Sequence, residues 1–282
     1  MTRLLAVTAC FNLIVPAFAN EPGSGAPLIV GGSSHICDIL EALSGEESFR
    51  VRTLVPPTMC PGHFDAKPSE ISTLKRARCI LLHEWQAPMP VVQSVLKAAE
   101  MPPGRVRVVE VAGNCLTPDM QEAAVQQVVQ ILSEIEPARA SEFEKKAAER
   151  VKTVRRTGAA ALEELKRAGC GGMAVVCHDK LTGLLQWAGF KVAGEYGKDG
   201  QLSASRMRTL IAEARAAGVA LVVDNIQGGA LRTGAALARD IGAAHVVLSN
   251  FPGGFSGAET WADTLRKDVE ILARAAEKVN RK

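Results

Sequence analysis

The sequence has 282 residues, enough for one large domain or two of ~100–140 residues. With 47% apolar and 22% charged residues it is not a disordered chain. The balance of 33 basic against 30 acidic residues, with 4% aromatics, excludes the dense basic face or stacking platform of a nucleic-acid binder. Seven Cys in a chain of this length are too few for a disulfide scaffold.

Met1-Thr2-Arg3 is a short positive region, Leu4 to Phe18 is almost wholly apolar, and Ala17-Phe18-Ala19 reads as a small-x-small cleavage site. An apolar run of roughly 15 residues is short of the ~20 a membrane span needs. Residues 1–19 therefore read as a signal peptide, and a periplasmic protein not inserted in the membrane is expected from Asn20 onward. Cys37, Cys60, Cys79, Cys115, Cys170 and Cys177 remain, and in an oxidising compartment six Cys allow 15 pairings.

The spacing then predicts strands at 27–32, 51–55, 79–82 and 106–111. Helices are predicted at 35–43, 69–78, 89–99 and 119–135. Alternation of this kind indicates a parallel sheet covered on both faces. Residues 138–168 carry apolar or small residues among Glu, Lys and Arg without an internal Pro, and read as one helix of ~45 Å. The pattern then repeats, with strands at 173–177, 190–194, 219–223 and 244–248. Helices follow at 181–188, 203–217, 231–241 and 263–279. The expected fold is α/β: two lobes with parallel four-stranded sheets (20–137 and 170–282) joined by one long rigid helix (138–169), with a ligand cleft between them.

Ligands of open parallel sheets bind beyond the carboxyl ends of the strands. The residues there are Ser33-Ser34-His35, Cys60 and His63, His83-Glu84, Asn114-Cys115, His178, Asp224-Asn225 and Ser249-Asn250. Four of the five His fall in these loops, with Cys60, Cys115 and Cys177 beside them. Imidazole and thiolate hold borderline and soft transition metals. His245 lies inside an apolar run and reads as core, as do Cys37 and Cys79. His35 is expected to line or cap its helix.

Three segments resemble the periplasmic metal-binding receptors of zinc and manganese ABC transporters. They are His178-Asp179-Lys180-Leu181-Thr182-Gly183 with Trp187-Ala188-Gly189-Phe190, then Pro56-Pro57 with His63 to Glu70, and Leu116-Thr117-Pro118. The resemblance runs over essentially the whole mature chain. It implies a two-lobe fold and a non-enzymatic, monomeric receptor that hands its cargo to an ABC permease. The ligand set does not carry over intact. The family's first ligand His falls on Gly62, one residue before His63. The second falls on Gly113, two before Cys115, and the last, usually a carboxylate, falls near Ser249. Only His178 matches strictly, and the His-rich acidic loop of the zinc-specific branch is missing.

Two readings follow. In one, Cys60, His63, Cys115 and His178 hold the metal, a set suited to zinc or copper(I). In the other, Cys60 and Cys115 form a disulfide and the two His bind with Asp224 or water. In either, His83, Glu84, Asp224 and Asn250 are alternative ligands or partners that orient a ligand. Zinc is expected ahead of copper or manganese, and a metal chelate is a third kind of cargo. The rival functions are a metal-dependent hydrolase, with Glu84 or Asp224 as base, and a secreted metallochaperone or sensor.

Overall fold

The computed structural model describes residues 25–44, 48–198, 200–229 and 231–281. The expected signal peptide lies outside them. The first half alternates β1 (Leu28–Gly31), α1 (Ser34–Ser44), β2 (Arg50–Thr53), α2 (Pro68–Arg76), β3 (Cys79–His83), α3 (Pro90–Ala98), β4 (Val106–Val109) and α4 (Pro118–Ile135). The long helix α5 (Ala140–Arg167) follows. The second half runs β5 (Ala174–His178), α6 (Thr182–Trp187), β6 (Lys191–Tyr196), α7 (Ala204–Ala216), β7 (Leu221–Asn225), α8 (Leu231–Ile241), β8 (Ala244–Leu248) and α9 (Trp261–Asn280). The sheets have strand orders β2-β1-β3-β4 and β6-β5-β7-β8, and every pairing is parallel. This is the expected two-lobe α/β fold.

The central strands are near-continuous apolar runs because helices cover both faces. All five residues of β3 and all five of β7 are buried. In the first lobe α1 and α4 pack on one face and α2 and α3 on the other. In the second, α6 and α9 cover one face while α7 and α8 cover the other.

Helix α5 has 28 residues, ~42 Å of helix. Phe143 and Ala147 near its start belong to the first lobe's core, whereas Val154, Ala161 and Leu165 belong to the second's. It runs unbroken through Thr157-Gly158, both buried. Gly158 sits where α4 crosses, and a Cβ there would lie 2.4 Å from Pro118 Cγ. Arg150 of α5 pairs with Asp38 of α1, both largely buried. Among the described residues, no helix is long and apolar enough to cross a membrane.

Two expectations are corrected. His245 is not core: β8 is an edge strand, and the half-open His245 ring places Nε2 2.9 Å from Asp224 Oδ2. Cys177 is not a cleft residue. Alternation along β5 turns Val175 and Cys177 to the α6/α9 side and Val176 to the α7/α8 side. Cys177 is fully buried there, and burial pushes its thiol up to about 12.

Candidate functional site

The carboxyl ends of both sheets face each other across a cavity of about 570 Å³, lined by loops from both lobes. His35, Cys60, His83, Glu84, Cys115, His178 and Asn250 are on its wall. Side-chain donors stitch the lobes together around it. His35 Nε2 meets the Asn250 carbonyl at 2.6 Å, and Asn114 Nδ2 reaches the Lys180 carbonyl at 2.9 Å and Asn250 Oδ1 at 2.8 Å. Gln227 Nε2 donates to the Pro57 carbonyl at 2.7 Å, and Trp261 Nε1 to the Cys115 carbonyl at 2.9 Å.

His178 ends β5 and begins a short 3-10 turn. Its Nδ1 is 2.9 Å from Asp179 Oδ1 and 3.2 Å from the Lys180 N–H. Nδ1 accepts from the Lys180 N–H in one tautomer; in the other it carries the proton and donates to Asp179, and only then is the Nε2 lone pair free, the way metal-binding histidines are held. Nε2 is buried with no hydrogen-bond partner among the described residues. It faces Gly228 so closely that a Cβ there would stand 2.3 Å away. Tyr196 meets the ring edge-on, centroids 5.9 Å apart. Burial lowers the His178 pKa, against the pull of the Asp179 carboxylate and a weaker one from the Gly228 backbone. The ring is therefore neutral and able to ligate.

The other sequence-derived candidates are placed as follows. Cys60 lines the cavity at the start of the turn Pro61–His63, while His63 is exposed and does not line it. Cys115 is buried on the wall, its thiol pushed up to about 12 by burial. Cys60 and Cys115 are both free thiols. Among the described residues no three His, Cys, Asp or Glu side chains gather where they could hold one ion. Glu84 is an exposed residue of the wall. Asp224 is not at the cavity: β7 continues through Asn225, so Asp224 lies in the strand, fully buried, on the side of Tyr196 and His245. Burial raises its pKa, opposed by His245 and Tyr196.

The positions that the resemblance assigns to missing ligands are built for other work. Gly113 has φ of +128°, a backbone conformation that L side chains rarely adopt. Ser249 is fully buried, and its hydroxyl accepts from Gln227 and donates to the Phe251 carbonyl. Sequence reasoning missed Gln227 and Trp261. Neither belongs to a motif, and each matters through a carbonyl on the opposite lobe.

The fold and cleft define a two-lobe solute-binding receptor. The family model described as zinc-uptake complex component A, periplasmic (ZnuA), matches residues 29–275, and the chain belongs to this family. Solved structures share the fold at low identity. A ZnuA crystal structure is 19% identical with a TM-score of 0.72, covering 89% of this chain and 99% of that one. A mutant, manganese-bound periplasmic metal-binding protein from Candidatus Liberibacter asiaticus is 16% identical with a TM-score of 0.74, over the same shares of the two chains. The periplasmic zinc-binding protein TroA from Treponema pallidum is 16% identical with a TM-score of 0.72, again covering 89% and 99%. A search of curated proteins finds no match.

Proposed function

We propose that this chain is a periplasmic receptor that captures a transition-metal ion in the interlobe cleft and delivers it to an ABC permease. One observation carries the reading: three histidines, His35, His83 and His178, all at most 3% exposed, surround one cavity at the carboxyl ends of both sheets. Burial keeps each neutral. Neutral imidazole is the form that ligates, and it favours zinc, copper or nickel over oxygen-seeking manganese. Family membership and the zinc, manganese and cadmium named for similar structures support a metal cargo.

His178 is the anchor in this reading. Cys60 and Cys115 are sulfur donors on the same wall. Lys180 and Lys198 face the cavity with Glu84 and Asp179, so charge balances and capture rests on ligation, with zinc the first candidate. The volume, well above that of a bare ion, also favours a second cargo form, an ion still carrying a small chelating molecule.

The test is metal analysis and calorimetric titration of the purified protein, with His178→Ala beside wild type, followed by metal uptake in cells with and without the permease. Wild type is expected to bind zinc with Kd below ~1 μM and His178→Ala more weakly. A wild type that takes up no metal at that level refutes the reading.

A further inference from the structure

His35, in the first turn of α1, and His83, the last residue of β3, are 3% and 1% exposed. Their ring centroids lie 6.4 Å apart, with the ring planes at 88° to one another. His35 Nε2 is 2.6 Å from the Asn250 carbonyl oxygen. A carbonyl only accepts, so the proton is on Nε2 and the lone pair on Nδ1. That Nδ1 is buried and has no hydrogen-bond partner among the described residues. His83 Nε2 lies 2.8 Å from Ser33 Oγ, a hydroxyl that donates or accepts, and its Nδ1 is buried without a partner among the described residues; with Ser33 accepting, the His83 lone pair is likewise on Nδ1. A metal-binding histidine typically has one ring nitrogen fixed by an outer partner and the other left open.

The surroundings fit the same use. Trp85 stacks on His83 with centroids 5.4 Å apart, and Phe251 packs on His35 at 5.5 Å. These rings shield the pair on its flanks. Both histidines line the cavity. Burial pushes His35 down to about 4 and His83 to about 3, so neither ring must lose a proton to ligate at neutral pH. At this separation one ion fits on the line between the rings, each metal–nitrogen bond taking up ~2.0–2.1 Å, with the two nitrogens on opposite sides of it.

We propose that His35 and His83 form a two-imidazole cation subsite in the cleft, apart from His178, that takes a borderline or soft transition cation of the zinc or copper(I) class. The ion's remaining positions face the cavity, where water or donors carried by the cargo fill them. This rests on reading the cleft as a metal-cargo site.

The experiment titrates the intact chain with zinc(II), and under reducing conditions with copper(I), against a chromophoric chelator. Wild type, His178→Ala, His35→Gln and His83→Gln are compared. His178→Ala is expected to keep one bound equivalent of ion, and adding His35→Gln or His83→Gln is expected to weaken that ion at least tenfold. If the His35 and His83 variants, folded by circular dichroism, bind both ions as wild type does, the subsite is refuted while the receptor reading stands. If wild type binds neither ion, both fail. Should the variants not fold, long-range 1H–15N spectra of wild-type histidines decide: zinc must shift the Nδ1 resonances of His35 and His83, and unshifted resonances overturn the proposal.

Discussion

Gly228→Ala probes the candidate site without touching a candidate ligand. A Cβ at 228 would stand 2.3 Å from His178 Nε2, 2.5 Å from Cδ2 and 3.0 Å from Cε1. Ordinary contacts between carbon-sized atoms lie at ~3.5–4.0 Å. The ring must therefore back away by ~1 Å, about five times the ~0.2 Å tolerance of a metal–ligand bond. If Nε2 ligates, zinc affinity should fall at least as far as the ~10–100-fold that follows loss of an outer partner, which is ~1.4–2.7 kcal/mol. Overpacking should also cost ~1–3 kcal/mol of stability. Competition titration with a chromophoric chelator reads the first effect and urea unfolding the second. A folded Gly228→Ala protein with wild-type zinc affinity would show that Nε2 does not bind the ion.

Other outcomes follow from the seam and the core. Trp261→Phe removes the donor to the Cys115 carbonyl at a fully buried position; stranding that acceptor should cost ~1–3 kcal/mol in denaturant midpoint, and an unchanged midpoint would remove Trp261 from the seam. Arg150→Met leaves Asp38 buried without its partner, and breaking such a pair should cost ~3–5 kcal/mol at pH 7. Asp38 already has a pKa raised by burial, which Arg150 offsets, so the loss in Arg150→Met should shrink as pH falls through the raised folded-state values and be gone near the unfolded value of ~3.9; an equal loss at pH 7 and pH 4 contradicts this. Asp268 of α9 is fully buried, accepts from the Ser249 N–H, and has a pKa raised well above the ordinary value by burial. The folded state thus holds its proton where the unfolded chain has released it, and stability drops as pH rises from the unfolded pKa. Asp268→Asn should therefore raise the melting temperature at pH 7, with the gain vanishing below pH ~4; a variant that melts lower at pH 7 would refute the argument.

The fold was legible because a parallel sheet covered on both faces writes its strands as apolar runs, and runs such as CILL and VALVV stand out between helical spacings. Strand ends were less legible. Asp224 looked like a loop residue because it is charged, yet the strand continues through it, with His245 on the neighbouring edge strand and Tyr196 as its partners. His245 looked buried because its neighbours are apolar; only strand order reveals an open edge. At the site, the His178 motif marked a cavity residue, whereas His63, one residue from its expected place, is on the outside. The sequence reading of His35 stops at lining or capping its helix and Gln227 goes unread, since each bridges the lobes through an atom more than 150 positions away, Asn250 for one and Pro57 for the other.

Most of the bonds that join the lobes end on main-chain oxygens: those of Pro57, Cys115, Lys180 and Asn250. Every residue type offers the same carbonyl. The joint is therefore specified by the side chains of His35, Asn114, Gln227 and Trp261, with the Asn250 amide as one further acceptor, and elsewhere is indifferent to the identity of the residues they grip. The side chain at 180 is free to drift, and to tune what the cavity admits, while the two halves stay aligned.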